Sequence, residues 1–218
     1  MHGIRAVIFD NDGTLVDTHD MILASFQHTM EEVLGREFPE ETLMAKVGIP
    51  LVDQMRDYSD DPEVVDELVR TYRADNEAHH DERIKGFPDA QPALEKIHGS
   101  GLVMAVATSK RHHLAWRGLE VLGISGYFET LVGCDETEGH KPAPDPLLEA
   151  ARRIGVDPVE CAYVGDAVYD VQAAKAAGCV SVAVAWGMGK MPDIEAEEPD
   201  YIVSTFGQLA DLLISLRA

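Results

Sequence analysis

The 218-residue chain has few cysteines. Cys134, Cys161 and Cys179 are odd in number and widely spaced, and they form no CxxC pair. This pattern argues against a disulfide framework and against a cysteine-based zinc site. We therefore expect three reduced thiols that act as small buried hydrophobic groups.

Long hydrophobic runs are also missing. The longest apolar stretches, residues 101–107 and 179–186, are far shorter than the roughly 20 residues that a membrane-spanning helix needs. The first apolar run, residues 4–9, stops at Asp10 and does not form the apolar region of a signal peptide. We expect a cytoplasmic protein with no membrane partner.

Positive charge is scarce, because 7 Lys and 11 Arg stand against 39 Asp and Glu, which gives a net charge of −21. Such a chain is a poor ligand for nucleic acid or for an anionic membrane surface. The composition fits simple solubility as well as a saline host. If the substrate is an anion, the site must supply its own positive charge, since salt screens distant surface charge beyond about 8 Å.

What the chain does contain is a series of short apolar, β-branched runs separated by helical patterns. Their near-continuous hydrophobicity is typical of strands that are buried on both faces of a parallel sheet. The alternation predicts an α/β fold with a Rossmann-like, doubly wound parallel sheet. The predicted strands are residues 4–9, 102–107, 130–133, 162–164, 181–186 and 201–203.

Two of the intervening helices have clear ends. Asp145 is a candidate N-cap followed by Pro146, Gly155 is a candidate C-cap, and the helix at residues 167–177 should end at Gly178. The first of these helices has a predicted apolar stripe that consists of Leu147, Leu148, Ala151 and Ile154.

Residues 18–83 break the alternation, because they contain helical patterns only, with the loop KVGIP at residues 46–50 in the middle. We interpret this stretch as a helical insertion after the first strand. The predicted division is a core domain of residues 1–16 and 84–218 and a smaller cap domain of residues 17–83.

Polar side chains follow several predicted strands at the point where each strand ends. Ligands of open α/β sheets bind at this edge, beyond the carboxyl ends of the strands. We therefore expect these residues to converge there. They are Asp10 and Asp12 after the first strand, Thr108, Ser109 and Lys110 after the second, Lys141 after the third, and Asp166 and Asp170 after the fourth.

Four carboxylates cannot share a small site in ionised form without a cation between them. A hard divalent ion such as Mg²⁺ accepts a few carboxylate ligands and keeps positions open for a substrate phosphate. A lysine and a hydroxyl beside that ion suit a phosphoryl group. In this chemistry Asp10 is the nucleophile that forms an aspartyl-phosphate, and Asp12 is the acid/base.

Four stretches resemble, in order, the four motifs of the haloacid dehalogenase superfamily. They are FDNDGTLVD (residues 9–17), AVATS (105–109), the lysine of GHKPAPDP (139–146) and YVGDAVYD (163–170). The helical insertion resembles the cap of the phosphoglycolate-phosphatase-like branch. Pieces such as VGIPLVDQM (47–55) and NEAHHDE (76–82) are similar to the bacterial pyrophosphatases of that branch.

The resemblance implies roles for the matching residues. Asp10 would be the nucleophile and a metal ligand, while Asp12 would be the acid/base and would bind the metal through its backbone carbonyl. Thr108, with Ser109 beside it, and Lys141 would hold the phosphate. Asp166 would bind Mg²⁺ with Asp170 in support. Ala167 departs from the Ser or Thr of many relatives, and we expect only one lost hydrogen bond there.

The resulting functional prediction is a Mg²⁺-dependent phosphatase for a small phosphorylated metabolite, with phosphoglycolate and inorganic pyrophosphate as favoured substrates. The alternative is a β-phosphoglucomutase-like phosphosugar mutase, which would carry more basic residues in its cap loop than Lys46. Candidate contacts for the leaving group are Lys46, Lys110 and Arg111. A non-catalytic relative would have lost one of the motif residues. The oligomeric state is not predicted.

Two histidine pairs, His79/His80 and His112/His113, raise the question of a second metal site. Adjacent residues on a helix do not share a face, so neither pair is suited to chelate an ion. We interpret them as solvent-exposed polar residues.

Overall fold

The computed structural model of the chain describes residues 3–218, so the first two residues of the predicted core domain lie outside the described part. In chain order the strands are β1 (Ala6–Phe9), β2 (Val16–Asp17), β3 (Lys85–Gly86), β4 (Val103–Ala107), β5 (Thr130–Val132), β6 (Cys161–Gly165), β7 (Val180–Val184) and β8 (Tyr201–Val203). All six predicted strands are present, with ends that differ from the prediction by up to two residues.

The helices complete the alternation. They are α1 (His19–Leu34), α2 (Glu40–Leu43), α3 (Leu51–Met55), α4 (Pro62–Ala78), α5 (His80–Arg83), α6 (Ala90–Gly99), α7 (His112–Val121), α8 (Asp145–Ile154), α9 (Val168–Ala177), α10 (Met191–Ala196) and α11 (Phe206–Ser215). Among the described residues, no helix is both long enough and apolar enough to cross a membrane.

Six of the strands form one parallel sheet in the order β5-β4-β1-β6-β7-β8. Phe9 at the end of β1 is in register with Val106 of β4 and with Val164 of β6. The carboxyl ends of these three strands therefore meet at one edge. The chain first extends the sheet to one side of β1 and then to the other, which confirms the predicted doubly wound α/β fold.

Strand β1 shows why these runs form a buried sheet. Its four side chains are inaccessible to solvent, and they alternate between two apolar layers. Val7 and Phe9 pack on the side of α6 and α11, whereas Ala6 and Ile8 pack on the side of α8 and α9. Because both faces are covered by helices, the strand is apolar throughout and does not alternate with polar residues.

Helix α8 corrects one detail of the prediction. Asp145 is its first residue, Pro144 occupies the N-cap position, and no side-chain hydrogen bond caps this end. The predicted apolar stripe is wrong at Leu148, which is 41% exposed, because the buried face is formed by Pro146, Leu147, Ala150 and Ala151. Gly155 and Gly178 end α8 and α9 in the left-handed conformation, as expected.

Helices α1–α5, at residues 19–83, form what we call the helical segment. It leaves and rejoins the core beside one short antiparallel ribbon, in which Val16 of β2 is opposite Gly86 of β3. Helices α1 and α4 are packed together, with the rings of Phe26 and Tyr72 in an edge contact at 4.9 Å between centroids. The three cysteines are free thiols.

Candidate active site

The loop after β1 places Asp10 between two strands. The Asp10 N–H donates to the carbonyl of Val164 on β6, at 2.8 Å, and only 4% of the residue is exposed. The chain then turns sharply, since the Asn11 carbonyl accepts from three backbone N–H groups and Gly13 has a φ of +78°. A side chain at Gly13 would also collide with the Asp166 carboxylate, so this close approach requires glycine.

Three carboxylates meet beneath this turn. Asp10, Asp166 and Asp170 are buried, and each offers an oxygen within 4.8 Å of the other two. Burial, with the charges of Asp170 and Asp166, raises the pKa of Asp10 to about 7, although Lys141 opposes the shift. Burial and Asp170 likewise raise the pKa of Asp166 to about 7, against hydrogen bonds that lower it. The protein alone leaves this cluster short of positive charge.

Lys141 is the cation of the cluster. Its Nζ lies 2.9 Å from Oδ1 of Asp10 and 2.6 Å from Oδ1 of Asp170, and its side chain is 1% exposed. Burial alone would lower the pKa of Lys141, but the charges of Asp10 and Asp170 outweigh it and raise the pKa well above its ordinary value. Lys141 therefore stays protonated.

Asp170 is held on all sides. Its Oδ2 accepts from the backbone N–H groups of Asp166 and Ala167, at 3.1 and 2.9 Å, which caps α9. Its Oδ1 faces Lys141 and also lies 3.2 Å from the Tyr163 hydroxyl. Because both oxygens of Asp170 already have partners, this residue is suited to orient the loop that carries Asp166.

Asp166 and Asp10 keep the capacity to bind a cation. Asp166 accepts one hydrogen bond on each oxygen, from Thr14 at 3.0 Å and from the Met188 N–H at 2.7 Å. Among the described residues, no hydrogen bond reaches the buried Oδ1 of Asp10, although Nζ of Lys141 lies 2.9 Å from it. Buried carboxylate oxygens with spare lone pairs fit a hard divalent cation. The residues present therefore fit a metal ion.

Asp12 lies apart from the three clustered carboxylates. Its Oδ1 accepts from Nζ of Lys110 at 3.0 Å and from Nδ2 of Asn11 at 3.1 Å. Its side chain is 17% exposed and faces the cavity described below. The carboxylate is thus held at one oxygen, and the other oxygen carries none of these hydrogen bonds.

The two hydroxyls after β4 have different surroundings. Thr108 is 2% exposed, and its Oγ1 accepts from the Lys110 N–H at 3.2 Å. Ser109 instead donates to the carbonyl of Gly48 in the helical segment, at 2.7 Å. Ser109 thereby joins the core to the helical segment next to the carboxylates.

A cavity of about 870 Å³ lies between the strand ends and the helical segment. Asp10, Asp12, Thr108 and Asp166 line its floor. Its opposite wall is mostly apolar and includes Ile22, Phe26, Met44, Val47, Leu51 and Tyr72. A small molecule bound here would contact both parts of the chain.

The structure places the three predicted leaving-group contacts differently. Lys110 and Arg111 line the cavity. Lys46 does not, because its ammonium lies 2.6 Å from the Asp57 carboxylate at a half-exposed surface. Sequence reasoning missed Arg73, which lines the cavity from α4, and Thr14, whose hydroxyl supports Asp166. The position of Thr14 inside the FDNDGTLVD motif could have indicated it.

The expectation that the histidine pairs are solvent-exposed is wrong for His80. Its side chain is 1% exposed, and its Nδ1 lies 2.9 Å from Oδ1 of Asp81. Burial lowers the pKa of His80. This histidine packs against Gly118 of α7, so it belongs to the junction between the helical segment and the core.

Comparisons with known proteins agree with this fold. Pyrophosphatase PpaX of Anoxybacillus flavithermus is 33% identical over 210 residues, which cover 96% of this chain and 97% of that protein. Pyrophosphatase PpaX of Bacillus velezensis is 34% identical, with 96% and 95% coverage.

Solved structures give the same result. A haloacid dehalogenase-like family hydrolase from Streptococcus pneumoniae has a TM-score of 0.87 at 26% identity, and the match covers 96% of this chain and 98% of that one. A predicted phosphoglycolate phosphatase from Haemophilus somnus has a TM-score of 0.89 at 22% identity, with 97% and 99% coverage, which shows the shared fold.

The sequence pattern that defines one family matches most of the chain, from residue 7 to residue 184. The matched region includes every residue of the floor described above. The resemblance inferred from the four motifs is confirmed, as is the prediction of a hydrolase. This chain belongs to the haloacid dehalogenase-like hydrolases.

Proposed function

We propose that the chain is a Mg²⁺-dependent phosphatase that hydrolyses a small phosphorylated metabolite through an aspartyl-phosphate on Asp10. One observation carries the proposal above all. Three buried carboxylates lie together, two of them are paired with the buried Lys141, and two of them line the cavity together with the Asp12 carboxylate. This arrangement supplies a nucleophile, an acid/base and a place for a cation within one pocket.

Asp10, Asp166 and the backbone carbonyl of Asp12 would hold the ion, and Asp170 would support Asp166. When bound, Mg²⁺ would neutralise the carboxylates and the phosphoryl oxygens. Thr108 and Lys141 are the proposed contacts of the phosphoryl group. Ser109 can join them only if its hydroxyl exchanges the Gly48 carbonyl for a phosphate oxygen.

The reaction divides into two displacements. Asp10 attacks phosphorus as the bond from phosphorus to the leaving oxygen breaks, and Asp12 gives its proton to that oxygen. Asp12 then takes a proton from water, whose oxygen attacks phosphorus, so that inorganic phosphate leaves and the Asp10 carboxylate is restored. The hydrogen bonds from Lys110 and Asn11 hold Asp12 in position for both transfers.

We propose that residues 17–83 act as a cap on a core of residues 1–16 and 84–218. The β2–β3 ribbon is where the chain passes between them, and the bond from Ser109 to Gly48 closes the opposite side. A closed cap would exclude water and bulky phosphoesters from Asp10. The cytoplasmic location and the lack of nucleic-acid and membrane partners stay predictions.

Pyrophosphate and phosphoglycolate are the favoured substrates, because similar proteins carry those names. The mutase alternative is weakened by the cap loop. Lys46 is its one cation at residues 46–50, and this lysine is paired with Asp57 outside the cavity.

The test is hydrolysis of p-nitrophenyl phosphate by purified protein with and without Mg²⁺. We expect turnover that requires the ion and that falls by at least about 10⁴-fold in Asp10→Asn, as is typical when a nucleophile is removed. Asp211→Asn, at an exposed position on α11, is the matched control. Unchanged turnover in Asp10→Asn would remove the nucleophile assignment.

A panel that contains pyrophosphate, phosphoglycolate and hexose phosphates, ranked by kcat/KM, would then identify the substrate. Activation by a sugar bisphosphate, with little release of phosphate, would instead favour the mutase.

A further inference from the structure

Arg73 and Arg111 both line the cavity, and they come from different parts of the chain. Arg73 belongs to α4 of the helical segment, and Arg111 directly precedes α7 of the core. Both residues are exposed. Within the described residues, neither guanidinium forms a hydrogen bond or an ion pair.

This lack of partners is unusual in a chain where acidic residues outnumber basic ones by 39 to 18. Most of the other Lys and Arg side chains are paired. Arg70, one turn before Arg73 on α4, pairs with Glu67, and Arg117 on α7 pairs with Asp81. Glu77, one turn after Arg73, lies 3.8 Å from His113 instead.

Arg111 lies beside the loop that follows β5. The Lys110 carbonyl accepts from the Cys134 N–H at 3.0 Å, and the His112 N–H donates to Asp135 at 2.8 Å, so Arg111 lies against the loop that follows β5. Burial raises the pKa of the Cys134 thiol, and the charges of both Arg73 and Arg111 oppose that shift. Cys134 lines the same cavity as the two arginines.

This place is separate from the carboxylates. Strand β5 lies two positions from β1 in the sheet. Since neighbouring strands are about 4.8 Å apart, the loop after β5 is offset from Asp10 by about 10 Å. Lys110 does not supply positive charge there, because it is paired with Asp12. Lys190, which also lines the cavity, follows β7 on the other side of β1.

We infer that Arg73 and Arg111 form a subsite for a second anionic group of the substrate, a carboxylate or a phosphate carried by the leaving group. The inference rests on the proposed phosphatase function. A guanidinium matches the oxygens of a carboxylate or phosphate with two parallel hydrogen bonds. Because one arginine comes from each part of the chain, a substrate that engages both holds the helical segment over the core.

The subsite also meets the need for local positive charge in an acidic protein. Surface carboxylates repel an anionic substrate, but salt screens this repulsion beyond about 8 Å. Two unpaired arginines that line the cavity supply attraction inside that range.

The experiment compares two aryl phosphates of equal length, 4-carboxyphenyl phosphate and 4-carbamoylphenyl phosphate, at constant ionic strength. We expect the wild-type protein to favour the carboxylate by about tenfold in kcat/KM, the value of one or two charge-assisted hydrogen bonds. The double variant Arg73→Gln/Arg111→Gln should lose this preference, mainly through KM. The two compounds differ in intrinsic reactivity, but this difference is the same for every variant. It therefore cancels when the ratio of the two kcat/KM values is compared between variants.

The matched control is Arg70→Gln/Arg117→Gln, which removes the same charge from α4 and α7 and should keep the preference. Arg73→Lys/Arg111→Lys should keep part of it. An equal preference in wild type and in the glutamine double variant would overturn the subsite.

Binding separates failure of the subsite from failure of the phosphatase proposal. The Kd values of both compounds for Asp10→Asn, with and without the two Arg→Gln changes, are measured by calorimetry. A lower Kd for the carboxylate that depends on the arginines supports the subsite even if wild type hydrolyses neither compound. Equal Kd values, or no binding of the carboxylate compound, overturn the subsite even if both are hydrolysed.

Discussion

The buried charges behind the cavity floor and the charges of the helical segment are held in different ways. Behind the floor, Lys141 and Asp170 are almost inaccessible to solvent, and each contacts two or more charged or hydrogen-bonding groups. In the helical segment, the ion pair of Lys46 and Asp57 is half-exposed and lies outside the cavity, and Arg73 has no partner among the described residues. We interpret the firmly held buried groups as those that carry the reaction. The less constrained side chains of the helical segment would then select the substrate.

The two regions meet closely at one glycine. The Gly48 carbonyl accepts from Ser109, its φ is +114°, and a Cβ there would lie 3.3 Å from Ala167 and 3.4 Å from Tyr169. The close packing at the site therefore requires glycine at position 48, although this residue has no side chain that could take part in the reaction.

The largest effect is expected among the buried charges behind the floor. Lys141→Met would leave Asp10 and Asp170 buried without their cation, which should lower the free energy of unfolding by about 3–5 kcal/mol. The same change should lower kcat/KM by about 10³-fold, because the proposed phosphate contact is lost. Urea denaturation and steady-state kinetics measure the two effects. Near-wild-type values for both would show that the floor is not held as described.

The second prediction concerns pH in the absence of metal. Asp10 and Asp166 have pKa values of about 7 in the fold, against 3.8 for a free side chain. Between pH 4 and 7 the folded protein therefore binds more protons than the unfolded chain, so the free energy of unfolding falls as the pH rises. Thermal unfolding in a chelator should show a lower Tm at pH 8 than at pH 5.

Added Mg²⁺ should reverse this trend, because it competes with protons for the same carboxylates. The rise in Tm on adding the ion should be larger at pH 8 than at pH 5, and Asp166→Asn should abolish it. A rise in Tm that is equal at both pH values would contradict the assignment of the cluster as a metal site.

A smaller effect is expected where the two regions meet. In Gly48→Ala, the positive φ and the contacts with Ala167 and Tyr169 should strain the closed loop by about 1–3 kcal/mol, and kcat/KM should fall by about tenfold. Gly155→Ala introduces a similar strain at the end of α8, where open space surrounds the residue. It should lower Tm and leave kcat/KM unchanged. Equal kinetics for the two variants would argue against a loop that closes on the core.

The smallest effect is expected in the helical segment, outside the cavity. Lys46→Met breaks an exposed ion pair, which is worth about 1 kcal/mol or less, and should change kcat/KM by less than about twofold. Lys46→Met and Lys141→Met are the same substitution at an exposed and at a buried lysine, so their effects can be compared directly. A large kinetic effect would indicate that Lys46 contacts the substrate. It would also contradict the difference described between the buried charges and the charges of the helical segment.

The floor could be predicted from the sequence because topology alone assembles it. Asp10, Thr108 and Asp166 each follow a strand, and the carboxyl ends of adjacent parallel strands share one edge wherever the helices lie. The residues of the helical segment could not be placed in this way. The pairing of Lys46 with Asp57, the burial of His80 and the free guanidinium of Arg73 depend on how α3, α4 and α5 rotate against their neighbours. A repeating apolar pattern shows that a helix has a buried face, but not which polar residue at its margin meets which partner.

The most direct test of the central claim is to trap the phosphorylated protein. Wild type is quenched in acid during turnover of a phosphorylated substrate with Mg²⁺, and the peptide that contains Asp10 is analysed by mass spectrometry. We predict phosphate on Asp10 that is released by hydroxylamine and that is missing in Asp10→Asn. Turnover with no phosphate on this peptide, or with phosphate on another residue, would contradict the account.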